Sequence, residues 1–86
     1  MIRADEIWGL LVRYMPLGVW MDLEEVYGLV RDHGYLDHDD ERPQAPGSLV
    51  PKWKRNVRNV LQRRKGLGHV DWDGKARYRP VRGHAR

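Results

Sequence analysis

The sequence predicts an α+β fold: three helices with a small antiparallel sheet that ends in a C-terminal β-hairpin. Three observations predict it. Apolar residues recur at helical spacing in three separate stretches. A short β-prone run over residues 17–21 separates the first two. An Asp73-Gly74 turn signal follows the third, between two alternating segments. At 86 residues the chain reads as one domain, with a core over about 4–80 and a flexible tail at 81–86.

Residues 4–15 read as a helix ending before Pro16. Ile7, Leu10, Leu11 and Tyr14 form one apolar stripe, and Trp8, Val12 and Met15 form a second beside it. Val19–Met21 is expected to be a brief strand. Asp22 then serves as an N-cap with Glu25 three residues on, a capping-box pattern. The second helix runs from Leu23 to about His33 and stops at Gly34, with Leu23, Val26, Tyr27 and Val30 facing inward. Gly9 and Gly28 lie inside helices, where each costs up to about 1 kcal/mol against Ala; close approach of two helices is the expected reason. Residues 35–50 are a long loop with Asp37, Asp39, Asp40 and Glu41, expected to be either functional or mobile.

Residues 51–65, PKWKRNVRNVLQRRK, are the third helix. Pro51 is expected at its first helical position and Gly66 at its stop. Successive residues turn by 100°, which gathers Trp53, Val57, Val60 and Leu61 on one side. Lys52, Arg55, Arg58, Asn59, Gln62 and Arg63 fall on the other. The hairpin follows over residues 69–80. Val70 and Tyr78 share its inner face only if the loop has an odd number of residues, which favours a three-residue loop with a left-handed Gly74. Arg77 and Arg79 then point outward, with Lys75 at the tip.

The charge is divided between the two halves. Residues 1–47 hold four basic and ten acidic side chains, net −6; residues 48–86 hold twelve basic and two acidic, net +10. A basic half of this kind predicts a polyanionic partner. There is no Cys, which removes disulfides, thiolate metal sites and Cys nucleophiles, and favours a cytoplasmic home. No apolar run reaches the roughly 20 residues of a membrane span, so no membrane partner is expected. His33, His38, His69 and His84 lack zinc spacing, and the acids of the long loop lack the alternating ligands of a calcium loop. No metal and no cofactor are expected. Ser48 has no His–Asp relay, and the D-x-K half-motif within residues 71–75 has no second acid pair. No catalytic residue is assigned and the chain is read as a non-enzyme.

The order helix, strand, helix, loop, basic helix, hairpin is that of a winged helix-turn-helix, in which the third helix enters the DNA major groove and the hairpin lies along the neighbouring backbone. Lys52, Lys54, Arg58 and Arg63 are then expected on phosphates and Arg55, Asn59 and Gln62 at base edges, with Lys75, Arg77 and Arg79 as hairpin contacts.

The run W-K-R-N-V-R-N-V-L-Q-R-R-K-G, with the V-x-W strand and glycine turn into Y-R, resembles the small winged-helix domains joined to bacterial restriction nucleases, such as the Mrr amino-terminal type. The run P-L-G-V-W-M-D-L-E-E-V-Y is similar to the start of their second helix. The resemblance covers roughly residues 5–80. It implies a DNA-reading part of a restriction or regulatory protein. Sensing of modified cytosine is a further implication, with Trp8, Trp20, Trp53 and Trp72 as a stacking wall, although Trp20 and Trp53 are expected in the core. The rival reading is a protein-interaction module that uses the first helix. In it, Trp8, Val12 and Met15 dock on a second copy or on a covalently linked nuclease domain.

Overall fold

The computed structural model describes residues 1–43 and 45–81; the flexible tail expected beyond residue 81 lies outside them. Three helices and three strands follow one another as α1 (Ala4–Tyr14), β1 (Met21–Asp22), α2 (Leu23–His33), α3 (Lys52–Gly66), β2 (Val70–Trp72) and β3 (Arg77–Pro80). The strands form one antiparallel sheet in the order β1-β3-β2. Met21 pairs with Tyr78 across one side of β3, and Trp72 pairs with the same Tyr78 across the other.

Each helix begins and ends for a local reason. The Arg3 N–H donates to Glu6 at the start of α1, and the Asp22 N–H donates to Glu25 at the start of α2, as the capping-box spacing requires. Helix α3 differs from expectation at both ends. Pro51 is the N-cap rather than the first helical residue. Gly66 remains helical, and Gly68 is the stop, with φ +80°. The Gly68 N–H bonds the Lys65 carbonyl and the His69 N–H bonds the Arg64 carbonyl, the paired bonds of a Schellman closure. Gly66 has no positive φ, so it could not close the helix in this way.

The core gathers one face from every element. Ile7, Trp8, Leu11 and Met15 of the first helical region meet Val26, Tyr27 and Val30 of α2. Trp53, Val57, Val60 and Leu61 of α3 complete it, with Val70 and Tyr78 from the sheet. The four α3 residues are those gathered by the 100° construction. Tyr14, placed in the first α1 stripe, instead lies at the rim and stacks on His33 at 3.7 Å between ring centroids. The second stripe is buried inside the chain: Trp8 and Met15 are core, and Val12 packs against it. A correction applies to the glycines. A Cβ built on Gly9 or Gly28 meets nothing within 4 Å, so close helix approach does not explain them.

The long loop is docked on the core. Asp40 is fully buried, and its carboxylate accepts the Ile2 N–H at 3.1 Å and the Asp37 N–H at 3.0 Å. The main-chain carbonyls of Asp40 and Arg42 accept the Trp53 and Lys52 N–H groups, the first donors of α3. The acidic loop therefore caps the basic helix and holds the amino-terminal residues against the same core. Asp37 also pairs with the terminal ammonium of Met1.

The strand expected at Val19–Met21 falls one or two residues later, at Met21–Asp22. Two bonds outside it, from the Gly18 N–H to the Pro80 carbonyl and from the Leu23 N–H to the Ala76 carbonyl, extend the contact along β3. At the hairpin the Asp73 N–H bonds the Arg77 carbonyl, which leaves Gly74, Lys75 and Ala76 as a three-residue loop with Gly74 at φ +87°. The Val81 N–H bonds the His69 carbonyl, so residue 81 belongs to the hairpin rather than to a tail.

Candidate nucleic-acid interface

Arg55, Arg58, Asn59 and Gln62 are exposed and line one shallow depression of about 160 Å³ on α3. They lie on the side away from Trp53, Val57, Val60 and Leu61, as the helical period dictates. Gln62 turns toward the hairpin, and its Nε2 donates to the Tyr78 hydroxyl at 2.7 Å. The Tyr78 ring stacks on Trp72 at 6.5 Å, and the Lys65 ammonium lies 5.0 Å from the Trp72 ring centroid. The indole Nε1 of Trp72 donates to the Lys75 carbonyl at the tip. A chain of contacts thus runs from the α3 depression through Tyr78 and Trp72 to Lys65 and Lys75.

Hairpin parity explains this placement. Val70, Trp72, Tyr78 and Pro80 share the face toward α3, whereas Asp71, Arg77 and Arg79 share the other. Arg77 bonds Asp22 at 2.8 Å and Arg79 bonds Asp71 at 2.6 Å. The Arg79 guanidinium also covers Trp20, 4.7 Å from its ring. Trp20 is 39% exposed, so its expected place in the core is corrected; Trp53 is core at 2%. The extended backbone before β1 presents Trp20 to this outer face rather than to the helices.

The remaining expected site residues divide. Lys52 is half-buried and pairs with Asp39 at 3.5 Å. The Lys54 ammonium lies over Tyr27 at 5.1 Å and over Trp53 at 5.8 Å. Arg63 points to the opposite flank, where with Asn56, Asn59 and Val60 it walls a mostly apolar hollow of about 650 Å³ against residues 1–4. That hollow holds no nucleophile or paired carboxylates, and it suggests no chemistry. Among the described residues, Arg55, Arg58, Arg63, Lys65 and Lys75 have no carboxylate within ion-pair distance. Burial pushes the Tyr27 hydroxyl pKa up, and the nearby Arg58 charge opposes that rise.

Lys65 is absent from the residues expected at the site, and Trp72 is expected there only as part of a stacking wall. Both had a signal: Lys65 lies on the same helical strip as Arg58 and Gln62, and Trp72 shares the alternation set of Tyr78. Arg64 was also passed over. It donates to His69 Nδ1 at 3.1 Å and lies 4.6 Å above the Trp8 ring, which ties the end of α3 to α1.

No family model, curated protein or solved structure matches this chain. No helix among the described residues is long and apolar enough to cross a membrane.

Proposed function

We propose that this chain is a double-stranded DNA-binding module of the winged helix-turn-helix type. In this reading α3 enters the major groove and the β2–β3 hairpin is the wing on the neighbouring backbone. The observation that carries it is the joined surface from Arg55, Arg58, Asn59 and Gln62 to Lys65, Trp72 and Lys75. Its cations lack internal carboxylate partners, whereas Arg77 and Arg79 are already neutralised. Phosphate binding therefore falls to Arg58, Lys65 and Lys75, with Arg63 at one edge, and base reading to Arg55, Asn59 and Gln62. Lys52, Lys54, Arg77 and Arg79 have smaller roles than their charge implies.

Fluorescence anisotropy on a random duplex, titrated with salt, tests the proposal. About four neutralised phosphates, one each for Arg58, Arg63, Lys65 and Lys75, give a slope of log K against log salt near −3.6. Absence of binding at low salt overturns the proposal. Replacing Arg55 and Asn59 together by Ala abolishes most sequence preference if they meet base edges; a double variant with unchanged preference removes the groove assignment.

The resemblance to restriction-linked domains extends the proposal to the DNA-reading part of a restriction or regulatory protein. For modified cytosine, the exposed members of the four-tryptophan wall are Trp20 and Trp72, on opposite faces of the hairpin. Selection from a random, partly methylated duplex pool tests that extension. The rival, protein interaction through α1, has less support because Trp8 and Met15 are buried within the chain itself.

A further inference from the structure

We propose that Tyr78 is a positioning residue that holds Gln62 as an adenine reader; this rests on the DNA-binding reading above. Tyr78 is 3% exposed, and its ring is fixed by the core and by Trp72. Its hydroxyl reaches the polar side of α3, where it accepts the Gln62 amide N–H across 16 residues of sequence. A glutamine amide carries two N–H donors and one carbonyl acceptor. One N–H is engaged by Tyr78. One N–H and Oε1 remain, on a side chain that is otherwise exposed. A donor beside an acceptor is what adenine N7 and N6–H require in the major groove. Asn59, the other amide in the depression, has no such anchor among the described hydrogen bonds. The two amides therefore differ: Gln62 is held before any ligand arrives, and Asn59 must be ordered by the ligand. A side chain ordered in advance reads its base without the ordering loss that a free one suffers.

The test uses the whole chain and duplexes recovered by selection with the wild-type protein. Wild type is expected to prefer adenine at one position, and Gln62→Ala to lose that preference. Tyr78→Phe, which keeps the ring and removes the hydroxyl, is expected to lower the same preference about three- to tenfold. Its salt slope and its preference at the positions read by Arg55 and Asn59 stay unchanged. Adding Tyr78→Phe to Gln62→Ala should then cause no further loss. Should Tyr78→Phe fold poorly, side-chain amide relaxation in the free wild-type protein decides: Gln62 is expected to be rigid and Asn59 mobile. The inference is overturned if Tyr78→Phe keeps full adenine preference, if every position loses preference alike, or if the Gln62 amide is as mobile as that of Asn59. Wild-type protein that ignores duplex DNA overturns the underlying reading instead.

Discussion

Asp40 shows how much one buried side chain can organise. Its carboxylate satisfies the Ile2 and Asp37 N–H groups, and its own carbonyl receives the Trp53 N–H. Asp40→Ala leaves buried donors without acceptors, and a loss of about 2–4 kcal/mol is expected, read from urea unfolding. Two further aspartates, half-buried Asp37 and exposed Asp73, add a pH dependence. The Met1 ammonium, with the Asp40 N–H, lowers the Asp37 pKa to about 2. The Lys75 and Arg77 N–H groups hold the Asp73 carboxyl below its usual range. In both, the folded pKa lies below the unfolded one. The contribution of each is therefore present above its unfolded value of about 4 and is lost as pH falls through its lower folded value, about 2 for Asp37. Urea midpoints at pH 6 and pH 3 should differ in that direction, and Asp73→Ala should quicken amide exchange at Lys75 and Arg77. The role of Asp73 was legible, because an Asp-Gly pair marks a turn by itself. That of Asp40 was not, since its partner Ile2 lies 38 residues away and nothing local singles out one acid among four.

At the level of elements, the helices were legible because their buried positions follow a period that the chain itself carries. Their ends were less so. Gly66 and Gly68 both fit a stop, and only the hydrogen bonds from Gly68 and His69 decide between them. Strand β1 is shifted because its pairing depends on β3, some 55 residues later. The space around the glycines yields a contrast. Gly9→Ala and Gly28→Ala are expected to stabilise the chain by up to about 1 kcal/mol each, since both sites are helical and open. Gly34→Ala should instead destabilise by about 1–3 kcal/mol, because its Cβ would lie 2.8 Å from the Val30 carbonyl oxygen and 3.0 Å from Leu10. Thermal melts of the three variants check both signs.

For the whole molecule, the division of charge was legible and the pairing of charges was not. Composition counts Lys52, Arg77 and Arg79 as free cations, yet folding sets each beside a carboxylate. Asp39 lies within ion-pair distance of both Lys52 and Arg42. Under the proposed function, Asp39→Asn frees two cations at the start of α3. Duplex affinity should rise severalfold at low salt and less at high salt, as anisotropy would show.

The bond from Gln62 to Tyr78 has a mechanical consequence for the proposed duplex partner. Helix and hairpin are riveted together, so the gap between them is that of a caliper with locked jaws. The nucleic acid, not the protein, must then adjust its groove to fit. Sites with easily deformed pyrimidine–purine steps beneath the gap would be gripped more tightly, even where no side chain touches those bases.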